Sequence, residues 1–127
     1  MSELRFPSGP WTGYFTYQSV GGKYGMDLTL RFDGGRITGD GADSIGMFII
    51  AGGYDATGGE CHWTKTYVGA HDVHYEGFRE GKGIWGTWDL EHKWRGGFQI
   101  WPLGDEEMEE LELEEEAPLE FAVAKPF

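Results

Sequence analysis

One cysteine, Cys61, is all that the 127 residues contain, so no internal disulfide can staple the fold. Basic residues are scarce as well: 10 Lys and Arg face 22 Asp and Glu, for a formal net charge of -12. No basic stripe exists, which excludes nucleic acid and an anionic membrane surface as partners. Met1-Ser2-Glu3-Leu4-Arg5-Phe6 lacks the apolar run of a signal peptide, and the expectation is a soluble protein of the cytoplasm. Before Gly104 no long stretch repeats apolar residues at helical spacing. The nucleophile elbow, the dinucleotide-binding glycine pattern and the P-loop are absent too, so no enzyme class announces itself by motif.

Glycine and aromatics are plentiful: 22 Gly, all before Asp105, with six Trp, six Tyr and eight Phe. They organise short segments in which apolar and polar residues alternate and a Gly-rich corner reverses the chain. The strands expected are 11–18, 24–32, 36–43, 47–54, 61–68, 73–78, 83–90 and 97–103. Asp33-Gly34-Gly35, Thr57-Gly58-Gly59 and Glu80-Gly81-Lys82-Gly83 provide residues that accept the positive φ of tight hairpins. Consecutive hairpins leave the first and last strands as open, aromatic edges. Pairing those two removes both, so the fold class expected is an all-β, eight-stranded antiparallel up-and-down barrel.

The barrel domain is expected over 1–104, which hold 12 Asp and Glu against 9 Lys and Arg. Residues 105–127 form an acidic tail, with 10 against 1. Nine of the twelve residues from Asp105 to Glu116 are acidic, and like charges four apart oppose an isolated helix. The chain then turns apolar, with Leu119, Phe121 and Val123 alternating between Pro118 and Pro126. Two readings stand: a disordered end, or an extended segment, 119–127, that docks on a neighbouring copy or a protein partner.

Period-two alternation sorts the strands into faces. Tyr24, Met26, Leu28, Leu30 and Phe32 share one face of the second strand, against Asp27, Thr29 and Arg31 on the other. The first strand groups Trp11, Gly13, Phe15 and Tyr17, and the seventh groups Ile84, Gly86, Trp88 and Leu90. The aromatics exceed what packing alone requires in so small a barrel, which points to a lined cavity or a subunit interface.

Metal chemistry finds little support. His71 and His74 are three apart and fall on opposite faces of a strand, and Cys61, His62 and His92 add no ligand spacing. Asp40-Gly41-Ala42-Asp43 lacks the distal glutamate of a calcium loop and reads as a strand end. No metal or cofactor is expected.

The order Gly53-Tyr54-Asp55, Trp63-Thr64-Lys65-Thr66-Tyr67-Val68-Gly69-Ala70-His71-Asp72, Tyr75-Glu76-Gly77 and Thr87-Trp88-Asp89-Leu90 resembles the avidin and streptavidin scaffold. In architecture the resemblance spans about residues 11–103, and it is most specific between Gly53 and Trp88. It implies a calycin-type barrel with a lumen, and it assigns Trp63 and Trp88 to the tryptophans that stack around the ligand. The polar half departs from the family. Asp72 and His74 fall where avidins carry small hydroxyls and Glu76 where they carry a third tryptophan, while Gly13 and Tyr17 replace the ureido-binding Asn and Ser. The last strand has no Asp. Each lost partner leaves a buried ligand group unpaired at about 1–3 kcal/mol, so the resemblance implies a cavity but not biotin.

His74 and Glu76 share a face with Phe78. The avidin-like register puts both inside, where a His beside a carboxylate exchanges a proton near neutrality or binds a polar ligand group; the other reading puts this face in solvent. Three functions follow. A binding protein would hold a small amphipathic or aromatic ligand among Tyr17, Trp63, His74, Glu76 and Trp88. A homo-oligomeric scaffold would pack its lumen solid and dock through its tail. An isomerase- or cyclase-like enzyme would use His74 and Glu76 as acid and base.

Overall fold

The computed structural model describes residues 5–103; the tail over 105–127, with its docking segment 119–127, lies outside them. Eight antiparallel strands follow one another: β1 (Gly9–Phe15), β2 (Tyr24–Asp33), β3 (Arg36–Asp43), β4 (Met47–Tyr54), β5 (Glu60–Tyr67), β6 (Asp72–Glu80), β7 (Gly83–Leu90) and β8 (Trp94–Pro102). Each pairs with the next and β8 returns to β1, closing the barrel. Among the described residues there is no helix, and none therefore long and apolar enough to cross a membrane.

Local chemistry sets the corners. Between β2 and β3, Gly34 (φ 58) and Gly35 (φ 83) both adopt the left-handed conformation, the pair of positive angles that matches a two-residue turn to the twist of its strands. Between β7 and β8 the same region is taken by Glu91 (φ 52) and His92 (φ 60), where side chains make it costly. That corner carries no glycine signal. It lets β8 start at Trp94, three residues before the expected Gly97.

Closure joins Trp11 to Pro102, Gly13 to Ile100 and Phe15 to Phe98. Beyond the end of β1 the ladder continues, since Thr16 N–H donates to Gly97 O (2.8 Å) and Gln18 N–H to Arg95 O (2.9 Å). No aromatic edge is left to pair with another chain.

Alternation fills the lumen unevenly. Leu28, Leu30, Ile37, Ile50, Ile84 and Ile100 meet in the middle and towards one end, all at most 4% exposed. That end is shut by the N-terminal segment: Phe6 packs on Tyr54 (4.7 Å between centroids) and Phe32 (5.3 Å), and Trp11 Nε1 donates to Pro7 O (2.8 Å). Arg79 lies against the Phe6 ring and donates to the carbonyls of Arg5 and Gly81. At the opposite end, bounded by the loops after β1, β3, β5 and β7, nothing comparable among the described residues covers the barrel.

Candidate functional site

A cavity of about 530 Å³ opens at that second end. Phe15, Tyr67, Val73 and Tyr75 line its depths, Tyr17, Tyr24, Trp88 and Leu90 its walls, and Val20, Ile45, His71 and Trp94 its mouth. The rings hold one another edge-on: Tyr17 stands 5.3 Å from Trp88 at 87° and 5.4 Å from Tyr24 at 79°. Trp88 is fixed further by donating Nε1–H to Thr16 O (2.9 Å). Gly96 makes this approach feasible, because a Cβ there would fall 1.7 Å from Thr16 O and 2.9 Å from Trp88 Nε1. At the mouth, Val20 (51% exposed) and Trp94 (53%) keep apolar surface in water. Exposed apolar groups rimming a concavity mark a binding site more often than scattered ones do.

Beneath the cavity floor lies a charged cluster. Lys65 is 1% exposed, on the inward face of β5 with Cys61, Trp63 and Tyr67. Its Nζ donates to Asp43 Oδ2 (2.7 Å), to Tyr75 Oη (3.2 Å) and weakly to Met26 Sδ (3.7 Å). The rings of Phe48, Phe15, Tyr67 and Tyr75 surround it at 4.4, 4.9, 5.0 and 5.3 Å, so the ammonium also has aromatic faces in place of water. Burial pulls the Lys65 pKa below its ordinary value, and the charge of Asp43 opposes that pull.

Asp43 is the hub. Oδ2 accepts from Lys65 and from Tyr67 Oη–H (2.7 Å), while Oδ1 accepts from the N–H of Ile45 (2.9 Å) and Gly46 (3.3 Å). The carboxylate thereby satisfies both oxygens and anchors the β3–β4 loop that carries Ile45 to the mouth. Burial pushes the phenols of Tyr67 and Tyr75 up, with Asp43 adding to both shifts, so both stay protonated across the neutral range. The wall residue Tyr17 is shifted the same way, by burial first.

The residues singled out from sequence separate into three groups. Tyr17 and Trp88 line the cavity. Trp63 does not: 2% exposed, it is stacked flat on Tyr75 (5.4 Å, 13°) and edge-on to Phe98 (5.3 Å), as part of the packed core. His74 and Glu76 correct the avidin-like register, because both sit on the exposed outer face of β6. Val73 and Tyr75 own the inner face, and with a period of two their neighbours must point outward. His74 Nδ1 meets Thr64 Oγ1 (3.3 Å) on that outer surface, and Glu76 stands opposite His62 and Thr87. No acid-base pair faces the lumen from these positions.

Sequence reasoning missed Lys65, Asp43, Tyr67 and Tyr75. The signal for Lys65 was available: the alternation Cys61, Trp63, Lys65, Tyr67 places one lysine in an otherwise apolar file. Among the described residues no group of three or more His, Cys, Asp or Glu side chains is arranged to hold a metal ion. No protein-family model and no curated protein matches the chain.

Proposed function

We propose that this chain is a small-ligand-binding barrel that takes a small amphipathic or aromatic molecule, other than biotin, into the open end of its lumen. The observation that carries the reading is the cavity of about 530 Å³, walled by Tyr17, Tyr24 and Trp88 and floored by Tyr67 and Tyr75. That size is in the range of small-molecule pockets, and so is the mix of apolar wall with a few placed polar groups. Biotin is disfavoured because Asp72, His74 and Glu76 are exposed on the outside. Gly13 cannot replace them, since a Cβ there would meet Gln99 O at 2.0 Å. The order of the Gly53-Tyr54, Trp63 and Trp88 elements around a closed barrel supports an avidin-like variant of the calycin scaffold.

The neutral fluorophore N-phenyl-1-naphthylamine tests the reading. Saturable binding at one probe per chain is expected, weakened by Trp94→Ala, unchanged by Glu76→Gln and not displaced by biotin. Non-saturable binding, or displacement by stoichiometric biotin, would overturn it.

A second role, self-association, draws on a different observation. Met47 (71% exposed), Ile49 (54%) and Val68 (69%) present apolar side chains on the outer surface, with Val68 N–H bonded to Met47 O at 2.9 Å. Light scattering of wild type beside Met47→Asp tests it: a smaller particle in the variant supports assembly through this strip, and identical particles rule it out.

A further inference from the structure

We propose that the bound molecule is uncharged and carries a hydrogen-bond acceptor, such as a ketone or aldehyde oxygen on an aromatic or conjugated skeleton, which receives the phenolic proton of Tyr75 at the cavity floor. The inference rests on the ligand-binding reading above and narrows it to a class.

Hydrogen-bond accounting singles out the Tyr75 phenol. Tyr75 Oη accepts from Lys65 Nζ (3.2 Å), which uses a lone pair and leaves the O–H proton to be donated. Among the described residues no acceptor receives it. Nor can the proton leave, since burial first and the charge of Asp43 second hold the phenol well above its ordinary pKa. Tyr75 is 2% exposed and lines the cavity, so an acceptor within the cavity is the partner available to it. Buried donors are rarely left orphaned. Tyr67 differs, because its proton already goes to Asp43 Oδ2 (2.7 Å), and it offers the ligand only a lone pair.

Charge decides against ions. Lys65 is neutralised at 2.7 Å by a carboxylate whose side chain is itself 0% exposed, so the floor carries no net charge. An anionic ligand would have to compete with Asp43 for Lys65, and Lys65 does not reach the cavity surface. A cationic ligand would find the carboxylate already holding four donors. Either ion would lose its hydration without a free counter-charge. A neutral acceptor needs only what Tyr75 has to give.

Three naphthalenes of similar size make the test: 2-acetylnaphthalene, 2-ethylnaphthalene and 2-naphthoate, titrated calorimetrically at pH 8 against wild type and Tyr75→Phe. The ethyl compound controls for partition out of water. Tyr75→Phe should weaken the ketone about three- to tenfold relative to the hydrocarbon, the range of one net hydrogen bond. In wild type the naphthoate should bind at least tenfold more weakly than the ketone. Asp43→Asn, which leaves the lysine without its counter-charge, should shift preference towards the naphthoate. If the ketone and the hydrocarbon respond equally to Tyr75→Phe, or the naphthoate matches the ketone in wild type, this assignment fails while the ligand-binding reading stands. If none of the three binds wild type saturably, that reading fails and takes this one with it.

Discussion

Lys65 Nζ and Asp43 Oδ2 lie 2.7 Å apart inside the barrel, with side chains 1% and 0% exposed. Removing two charges from water is costly, and the attraction between them offsets that cost only when the remaining hydrogen-bonding capacity is also filled. Here it is: Asp43 accepts four hydrogen bonds, and the ammonium adds Tyr75 and a ring of aromatic faces. The pair also joins two parts of the site. One end of Asp43 holds the charge beneath the floor, and the other holds the loop that brings Ile45 to the mouth.

Breaking the pair from either side should therefore be expensive, and removing both partners less so. Asp43→Asn or Lys65→Met alone is expected to cost about 3–5 kcal/mol, because each leaves a buried charge uncompensated. The double variant should cost clearly less than the sum of the two. Urea denaturation of the four proteins measures the coupling; additive losses would mean that the two residues stabilise the fold independently.

The barrel was legible because its elements are regular. Period-two alternation from Tyr24 to Phe32 and the Gly34-Gly35 corner are local signals, and both survive into the fold. The start of β8 was not legible, since Glu91 and His92 take left-handed conformations that their residue types do not announce. Half of the site was hidden for another reason. Asp43 and Lys65 are 22 residues apart, and only the closed sheet brings them together. The scaffold resemblance also carried an error: it set the face of β6 by analogy, although Val73 and Tyr75 already supplied an inward-facing pair that put His74 and Glu76 outside.

Three tryptophans that look alike in sequence should separate experimentally. Trp63, stacked on Tyr75 and away from the cavity, should cost about 3–5 kcal/mol on replacement by Ala, like other large core truncations. Trp94, 53% exposed at the mouth, should cost less than about 1 kcal/mol yet weaken probe binding. Trp88, held by Phe15, Tyr17 and the Thr16 carbonyl, should lose binding and some stability together. Chemical denaturation combined with fluorophore titration checks all three. A stability loss at Trp94 equal to that at Trp63 would contradict the division into packed and hollow halves.

Alkaline pH should loosen the barrel in two stages. Burial raises the Cys61 thiol from 9.0 to about 12, opposed weakly by Arg79, so the native state keeps a proton that the unfolded chain has released. The resulting stability is complete below pH 9 and declines through the window from 9 to 12, by at most about 1.4 kcal/mol per pH unit. Tyr67, Tyr75 and Tyr17 are also raised, above their ordinary value of 10.0, and add losses of the same sign from that pH upward. In Cys61→Ala the decline should begin about one pH unit later, at the tyrosines, while the lowered pKa of Lys65 contributes in the opposite sense. Urea midpoints at intervals from pH 8 to 11 test this, and identical profiles would show that the thiol is not protected by the fold.

Residues 1–104 should fold without the rest of the chain. Among the described residues every strand lies between Gly9 and Pro102, Leu103 N–H donates to Pro10 O (2.9 Å), and the packed end is covered by Phe6 from the N-terminal side. Tolerance to truncation follows from the burial and bonding of the backbone that remains, and here the ladder is complete. Deleting 105–127 also removes ten acidic residues and one lysine, which takes the formal charge from -12 to -3. Less self-repulsion should make stability and solubility respond less to salt. The expected result is a urea midpoint within about 1 kcal/mol of the full chain and unchanged binding of the neutral probe, with a change in particle size by light scattering if the alternating segment 119–127 docks on another copy. Equal particle sizes would reduce the tail to a source of charge. Unfolding of the truncated chain would instead place Phe121 or Phe127 in the core and overturn the division at residue 104.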